Sequence, residues 1–435
     1  MRRRRIARLT AAALMAAMSA WAPPANAVAP PPVDGTRLPP PAPAAPTRPT
    51  VQRDVCTVPS LGPGGPTTQL DELDLSAAWA LTRGAGQRVA VIDTGVALHR
   101  RLPGLVGGGD YVSTGDGTRD CDGHGTLVAG IIAAAPDPAT DRFAGVAPLA
   151  TVIAIRQSST RFSAVGAAPG IGDVDTLAAA VRTAADLGAS VINISAVACR
   201  PESSGLDDRA LGAALAYAVE VKNTVVVAAA GNTDEGCGGD QPMIVTPAWY
   251  DDYVLTVGSV DGVGAASAFT APGPWVDVAA PGESVLSLST VADAMADSLD
   301  GSALRGTSFA APVVSGLAAL IRARFPQWTP RQVMDRITAT AHPPPGGRDD
   351  YVGAGVVDPL AALTFEPAAT REQGGPAPSQ DPAVILPPGP ATGAAGLGTA
   401  VAGTALLLAA LLVAVIARLA ARRRAGRGAG APGPG

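Results

Sequence analysis

The sequence has a single lysine, few aromatic residues and only four cysteines. Its 435 residues carry a formal net charge of −5, and the one lysine is Lys222. So small an imbalance gives no basic surplus of the kind that binds nucleic acid. No C-x-x-C pair occurs, which argues against a zinc site, and we expect neither a metal nor a cofactor. The absence of repeats of about 20–50 residues argues against a solenoid or a propeller.

What the chain does contain is apolar sequence, proline and glycine. Hydrophobic residues make up 47% of it, which permits a large core. The 41 prolines and 51 glycines indicate that part of the chain is linker. The length also exceeds that of one ordinary domain, so we expect several segments with different roles.

Both ends carry targeting signals. Residues 1–27 combine an arginine cluster, a short apolar run and the cleavage site Ala25-Asn26-Ala27, which together predict a secretory signal peptide. Residues 394–417 contain no charged side chain and are long enough to span a bilayer. The arginines of 418–435 predict a cytoplasmic basic tail, because positive charge stays inside. The cell membrane is therefore the expected location, with one span and an extracytoplasmic body.

The four cysteines lie in the exported part of the chain. An even number of cysteines outside the cytoplasm indicates disulfides, so we expect two. The residues alone leave all three pairings open. The four positions are Cys56, Cys121, Cys199 and Cys237.

Composition divides the exported body into three parts. Residues 28–75 form an N-terminal extension that begins proline-rich and carries Cys56. Residues 76–365 alternate apolar strand-like runs with longer helical ones, and residues 366–393 return to proline, alanine and glycine as a linker before the membrane. The alternation predicts an α/β domain whose mostly parallel central sheet is covered by helices on both faces.

The predicted elements place polar residues at one edge of that sheet. Ligands bind outside the carboxyl ends of parallel strands, and Asp93, Ser195 and Asn232 lie at such ends. The predicted strands are Arg88–Ile92, Thr151–Ile155, Val191–Ser195, Thr224–Ala230, Val254–Val260 and Val276–Ala279. The predicted helices are Ala77–Thr82, His124–Ala135, Val174–Leu187, Leu206–Lys222 and one that starts near Ser308 and is apolar to Ile321.

Ser308 admits two interpretations. It follows Gly306-Thr307 at the start of an apolar run, so it is expected at or beside a helix N-terminus. There it can simply cap the helix, as most such serines do. It can also act as a nucleophile, because free backbone N–H groups would receive the oxyanion that its attack creates.

Three further residues favour the second interpretation. Asp93 follows a buried strand and can orient an imidazole, although a turn aspartate is the ordinary alternative. His124 lies between two glycines, which suits a base, although a lone histidine is usually structural. Asn232 follows Ala230-Gly231 and can donate an amide N–H to an oxyanion.

Four sequence blocks resemble subtilisin-like serine proteases. They are Val91–Gly95, His124–Gly130, Ala229–Asn232 and Gly306–Pro312, and the order Asp, His, Ser is the subtilisin order. The resemblance covers roughly residues 76–363. It implies that Ser308 is the nucleophile, His124 the general base and acid, Asp93 the residue that orients it, and Asn232 the oxyanion donor.

The chain also resembles the mycosins, membrane-anchored subtilases of type VII secretion systems. The shared features are the signal peptide, the cysteine-bearing extension, a phenylalanine after the catalytic serine, the proline-rich linker and the C-terminal span. This resemblance implies the pairs Cys56–Cys121 and Cys199–Cys237. The first pair would tie the extension to the body beside His124, so we expect the extension to be retained.

One block departs from the wider family. Many subtilases have Ser-Leu-Gly in the strand that pairs with substrate, whereas this chain has Ser195-Ala196-Val197. Valine cannot copy the close backbone approach of glycine, so subsite preferences do not transfer. These three residues remain the expected substrate-binding segment, by addition of the peptide as a strand.

The sequence therefore predicts a membrane-tethered serine endopeptidase that processes proteins exported by a type VII secretion system. Its expected partners are a peptide or protein substrate, the secretion membrane complex and the membrane, with no nucleic acid. One alternative is a structural subunit that stabilises the secretion pore, with proteolysis dispensable. Another is a general degradative protease that is independent of any partner.

Overall fold

The computed structural model describes residues 29–61, 68–238 and 242–364. They all belong to the first of two units of the chain, Met1–Glu366. The predicted signal peptide, the linker, the membrane span at 394–417 and the basic tail lie outside the described residues. Within the described ranges, no helix combines the length and the apolar character needed to cross a membrane.

The described residues form strands and helices that we number in chain order. The strands are β1 (Thr50–Gln52), β2 (Ser60–Leu61), β3 (Arg88–Asp93), β4 (Val106–Asp110), β5 (Thr151–Arg156), β6 (Phe162–Ala164), β7 (Val191–Ile194), β8 (Ala198–Pro201), β9 (Val225–Ala229), β10 (Met243–Thr246), β11 (Leu255–Val260), β12 (Val278–Pro281), β13 (Ser287–Leu288), β14 (Met295–Leu299) and β15 (Ser302–Ala303). The helices are α1 (Leu75–Trp79), α2 (His124–Ala133), α3 (Val174–Asp186), α4 (Arg209–Ala216), α5 (Thr307–Arg324), α6 (Pro330–Thr340) and α7 (Pro359–Thr364).

A seven-stranded sheet forms the centre of the domain, in the order β12-β11-β9-β7-β3-β5-β4. All neighbouring pairs in this sheet are parallel. Its strands are nearly continuous runs of β-branched and small apolar residues, as in Val225–Ala229, where all five residues are buried. Such runs are typical of strands with both faces covered.

Helices cover the two faces of the sheet with separate cores. Alternate residues of a strand point to opposite faces, so Val89 and Val91 pack with α2 and α5, while Ala90 and Ile92 pack with α3 and α4. Helix α2 has no solvent-facing side, since its residues from Gly125 to Ala133 are all buried. The predicted α/β domain with a mostly parallel sheet is confirmed, and it has three layers.

Four predicted elements differ from the structure by two or more residues at one or both ends. The helix expected at Leu206–Lys222 is shorter, Arg209–Ala216, followed by one π-helical turn, Tyr217–Val221. The buried carboxylate of Asp208, at its N-cap position, accepts hydrogen bonds from the side chains of Trp249 and Tyr250 and none from the helix. Helix α1 begins at Leu75 rather than Ala77. Strand β12 is Val278–Pro281 rather than Val276–Ala279, and α2 ends at Ala133 rather than Ala135.

The extension adds short strands to the edges of the domain. Strand β1 pairs antiparallel with β6, and β2 pairs antiparallel with β14. Strand β14 in turn forms a hairpin with β15, shortly before α5. The extension is therefore hydrogen-bonded to two different strands of the body, β6 and β14.

Candidate active site

Asp93, His124 and Ser308 lie in line at the carboxyl edge of the sheet. His124 Nδ1 is 2.8 Å from Asp93 Oδ1, and His124 Nε2 is 2.9 Å from Ser308 Oγ. Asp93 is buried, with 2% of its surface exposed, and it also accepts a hydrogen bond of 2.7 Å from the backbone N–H of Thr94. The imidazole therefore bridges a buried carboxylate and a serine hydroxyl.

The charges around His124 favour its protonated form. Burial lowers the pKa of the imidazole, but the neighbouring Asp93 carboxylate raises it through its charge and its hydrogen bond. The carboxylates of Asp120 and Glu235 add to this effect, and the net pKa lies above its usual value. An imidazolium that forms here is thus stabilised.

Three elements bring these side chains together. Asp93 is the last residue of β3, His124 is the first residue of α2, and Ser308 is the second residue of α5. Helix α2 approaches β3 so closely that a Cβ on Gly125 would lie 2.0 Å from the carbonyl oxygen of Gly95. Only glycine fits there, which explains the residue after His124.

The segment that carries Ser308 is also fixed by its own contacts. The Ser195 hydroxyl donates to the Ser308 carbonyl oxygen at 2.9 Å, and Asn193 Nδ2 donates to the Ser195 hydroxyl at 2.9 Å. Further along α5, the hydroxyl of Ser315 donates to Asn193 Oδ1 at 2.8 Å. These bonds connect β7 to α5, so Ser195 acts as a fixed polar link beneath the site.

Asn232 is a further neighbour of Ser308 in the site. Its Oδ1 accepts hydrogen bonds from the backbone N–H and the hydroxyl of Thr307, at 3.1 and 3.0 Å, which orients the amide. A Cβ on Gly306 would lie 3.0 Å from Ser308 Oγ and 3.2 Å from Asn232 Nδ2. The hydroxyl and the amide donor therefore border the same small space.

Asp93, His124, Asn232 and Ser308 line a cleft of about 780 Å³. Ser195, Ala196 and Val197 form part of its lining, and they lie in the gap between β7 and β8. Ser195 is buried, whereas Ala196 and Val197 are half-buried. The structure thus places the predicted triad, oxyanion and substrate-binding residues in one cleft.

One disulfide lines the cleft, and the other joins residues next to its lining residues Thr57 and Asp122. Cys56 pairs with Cys121 and Cys199 pairs with Cys237, the two pairs that the resemblance to mycosins implies. Cys121 lies three residues before His124, so the first disulfide fixes the extension beside the histidine. The second connects β8 to the loop after Asn232, and both of its cysteines line the cleft.

The extension also supplies a wall of the cleft, which sequence reasoning did not foresee. Thr57 lines the cleft, and its hydroxyl accepts a hydrogen bond of 2.7 Å from Arg161 Nη2. Arg161 also forms an ion pair with Asp300, at the tip of the β14–β15 hairpin. These contacts join residues far apart in the chain, so no local pattern indicates them.

Two acidic residues near the triad were also missed. Asp120 accepts hydrogen bonds from the backbone N–H groups of Gly123 and Thr126, and Glu235 accepts one from Asn232 Nδ2. For Asp120, the sequence did offer a signal: Asp120 and Asp122 flank Cys121, just before His124. Among the described residues, no group of three or more His, Cys, Asp or Glu side chains is placed to hold a metal ion.

This arrangement is suited to acyl transfer. A serine hydroxyl within hydrogen-bonding distance of an imidazole can pass its proton to that ring, and a buried carboxylate on the other side stabilises the resulting cation. Ser308 is also near the N-terminus of α5, where backbone N–H groups have no partner within the helix. With the amide of Asn232, these donors can stabilise an anionic tetrahedral intermediate.

Comparison with known proteins identifies the family. The model of the subtilase family matches residues 84–374. Mycosin-4 of Mycobacterium tuberculosis is 58% identical over 429 residues, covering 92% of this chain and 93% of the relative.

Two solved structures share the fold. The MycP3 protease from the type VII (ESX-3) secretion system is 45% identical with a TM-score of 0.72, covering 78% of this chain and all of that one. A chain in the periplasmic assembly from the ESX-5 inner membrane complex is 42% identical with a TM-score of 0.73, covering 84% of this chain and all of that one. The chain therefore belongs to the subtilase family of serine endopeptidases and, within it, to the mycosins.

Proposed function

We propose that this protein is a membrane-anchored serine endopeptidase that uses an Asp93–His124–Ser308 triad to process proteins exported by a type VII secretion system. The observation that carries this proposal is the position of His124, within 2.9 Å of both the Asp93 carboxylate and the Ser308 hydroxyl. Three residues from distant parts of the chain meet here in the geometry that serine acyl transfer requires.

The first half of the reaction breaks the peptide bond. Ser308 Oγ attacks the carbonyl carbon of the substrate while its proton moves to His124 Nε2, and Asp93 stabilises the imidazolium. The tetrahedral intermediate then collapses as the C–N bond breaks. His124 returns the proton to the departing amine, which leaves an acyl group on Ser308.

The second half releases the acyl group. A water molecule gives a proton to His124 as it attacks the ester carbonyl, and the acid product leaves when Ser308 Oγ regains that proton. Both tetrahedral intermediates place a negative oxygen in the space bordered by Asn232 Nδ2 and the start of α5. We assign Asn232 as a donor to that oxygen, a role that lowers the barrier by about 2.7–4 kcal/mol where it has been measured.

The substrate would bind as an added strand along Ser195, Ala196 and Val197. This segment lines the cleft beside Ser308. It connects β7 to β8 and belongs to neither strand. An extended peptide could therefore form main-chain hydrogen bonds with it. Val197 stands where many subtilases have glycine, so we expect its side chain to restrict the residue that binds there.

The proposed location and partner rest on the sequence signals and on the relatives. The signal peptide at 1–27, the span at 394–417 and the basic tail at 418–435 would place the enzyme on the outer face of the cell membrane. Similar chains come from the ESX-3 secretion system and from an ESX-5 inner membrane complex. We infer that this protein likewise works with a type VII secretion complex.

A second candidate function is structural. A similar chain is part of the ESX-5 periplasmic assembly, so this protein could stabilise a secretion complex without cleaving anything. The disulfide between Cys56 and Cys121 suits such a role, because it gives the domain a fixed extension surface.

One genetic experiment separates the two functions. A strain that lacks the gene would be complemented with the wild-type protein or with Ser308→Ala, and both the amount of secreted protein and its proteolytic processing would be measured. The endopeptidase proposal predicts that the strain with Ser308→Ala secretes unprocessed substrates, although the variant protein is as abundant as the wild type. Full secretion with unchanged processing would favour the structural role alone. Digestion of many unrelated unfolded proteins by the purified wild type would instead indicate a degradative protease.

A further inference from the structure

Asp120 is the centre of a hydrogen-bond network behind the proposed triad. Its Oδ1 accepts from the Thr94 hydroxyl at 2.8 Å and from the Gly123 N–H at 2.7 Å. Its Oδ2 accepts from the Thr126 N–H at 2.8 Å and from the Thr126 hydroxyl at 2.7 Å. Four donors thus converge on one carboxylate, four residues before His124.

The network joins the two segments that hold Asp93 and His124. Thr94 follows Asp93, and its N–H donates to Asp93 Oδ1, the same oxygen that His124 Nδ1 contacts. The Thr94 hydroxyl also accepts from the Gly125 N–H at 2.9 Å. Asp120 therefore contacts Thr94 on one side and Gly123 and Thr126, which flank His124, on the other.

Asp120 also takes the place of a helix cap. Helix α2 has Gly123 at its N-cap position, and glycine has no side chain to accept the first N–H groups of a helix. Asp120 accepts one of them from outside the helix, at Thr126, and also accepts the N–H of Gly123 itself. A negative charge at this end is also stabilised by the helix dipole. The orientation of the first turn of α2, and hence of His124, depends on this carboxylate.

The donors around Asp120 match its ionised form. The Thr94 hydroxyl already accepts from Gly125 and the Thr126 hydroxyl accepts from the Ala97 N–H at 2.9 Å, so both direct their protons at Asp120. Burial raises the net pKa of the Asp120 carboxyl above its usual value, although its hydrogen bonds to Thr126, Thr94 and Gly123 oppose that rise. A proton on Asp120 would displace one of these four donors, so the hydrogen-bond geometry favours the carboxylate.

We propose that Asp120 is a positioning residue for the proposed triad, which holds the Asp93 carboxylate and the His124 ring in register through Thr94 and the first turn of α2. This inference rests on the proposed function of Asp93, His124 and Ser308. Asp120 touches none of the reacting atoms and acts through Thr94, Gly123 and Thr126.

The same charge influences the protonation of His124. Three carboxylates act on the ring: Asp93 at the end of β3, Asp120 before α2, and Glu235 after β9. On its remaining side the ring lies against Phe309, with the ring centres 5.0 Å apart. Removing the charge of Asp120 therefore leaves Asp93 and Glu235 to stabilise the imidazolium, and the pKa of His124 should fall.

The test compares full-length wild type, Asp120→Asn and Asp208→Asn in detergent, with one peptide substrate over a range of pH. Asp208 is the matched control, because its buried carboxylate also accepts side-chain hydrogen bonds, from Trp249 and Tyr250, but at α4. For Asp120→Asn we expect kcat to fall by about 10- to 100-fold with little change in KM, since a misplacement of about 1 Å can cost about 100-fold. Its acid limb should move to lower pH.

The control distinguishes positioning from stability. The proposal would be supported if Asp208→Asn loses as much Tm as Asp120→Asn but keeps the kcat and pH profile of the wild type. An Asp120→Asn variant that loses Tm but keeps the kcat and acid limb of the wild type would overturn it. If the wild type itself has no activity, the proposed function fails, and that result is separate from any result on Asp120.

A second variant serves if Asp120→Asn does not fold. Thr94→Val removes the hydroxyl that links Asp120 to the Asp93 segment but keeps the carboxylate and its bonds to α2. We expect Thr94→Val to lower kcat in the same direction, without moving the acid limb, and Thr94→Ser to restore it. If Thr94→Val and the wild type have equal kcat, Asp120 does not position Asp93 through the Thr94 hydroxyl.

Discussion

Asn232 donates a hydrogen bond from its Nδ2 to the carboxylate of Glu235, three residues later, at 3.0 Å. The Asn232 amide is held on its other side by Thr307, so its donor is oriented toward the cleft. A carboxylate thus lies next to the group that we assign to the oxyanion. Like charges repel, so Glu235 should oppose the charge that develops on the substrate oxygen.

Glu235→Gln should therefore increase activity. Glutamine keeps an oxygen that Asn232 can contact but removes the negative charge. We expect kcat/KM to rise roughly fivefold on an uncharged peptide, because relief of about 1 kcal/mol of partly screened repulsion on the oxyanion outweighs the weaker stabilisation of the His124 imidazolium. Asp234→Asn is the control, since the Asp234 carboxylate pairs with Arg305 instead. A marked decrease in kcat for Glu235→Gln would mean that Glu235 orients Asn232 rather than opposing the oxyanion.

Asn232→Ala should reduce catalysis and leave binding nearly intact. The oxyanion forms only during the reaction, so its donor contributes to kcat rather than to KM. We expect kcat to fall by about 100- to 1000-fold at similar KM. Steady-state kinetics on the purified protein, with Tm measured alongside, checks this. A change in KM alone would remove Asn232 from the proposed oxyanion site.

The activity should have an acid limb above the ordinary pKa of histidine. The neutral imidazole accepts the proton of Ser308, so activity is lost as pH falls through the pKa of His124. Its neighbours raise that pKa above the ordinary value of 6.5 despite burial. The pH dependence of kcat/KM reports this group in the free enzyme. A limb well below 6.5 would show that burial outweighs the carboxylates.

Removing the disulfide of the extension should lower stability. The bond between Cys56 and Cys121 closes a loop of 65 residues in sequence separation. Replacing both cysteines by serine should cost roughly 2–5 kcal/mol in the free energy of unfolding, measured by denaturant titration under oxidising conditions. Limited proteolysis should then cut within residues 50–61, which the body holds by β1 and β2. Unchanged protection of that segment would show that strand pairing alone retains it.

The sequence predicted the triad and the sheet because their signals are local. Each signature block is a strand or helix end with glycine at a crowded position, as at Gly125, so a short motif identifies it. The edge strand β4 of the central sheet was not predicted, nor were the short strands β1, β2, β6, β8, β10 and β13 to β15, because segments of two to five residues have no readable period. Helices α6 and α7 were also not predicted.

The rest of the site depends on contacts between distant residues. Thr57 meets Arg161, and Arg161 meets Asp300, only after the fold has formed. Glu235 carries no motif, and its contact with Asn232 depends on the local 3₁₀ turn Thr233–Glu235. Such residues modify the chemistry of the motif residues, and a sequence pattern gives no indication of them.

The most direct test of the central claim is covalent labelling of Ser308. Full-length wild type, Ser308→Ala and His124→Ala would be treated with a fluorophosphonate probe at neutral pH, and the modified residue identified by mass spectrometry. We predict labelling of the wild type at Ser308 alone, none in Ser308→Ala, and a strongly slowed reaction in His124→Ala. A folded wild type that does not react, or reacts equally fast without His124, would contradict an assembled Asp93–His124–Ser308 triad.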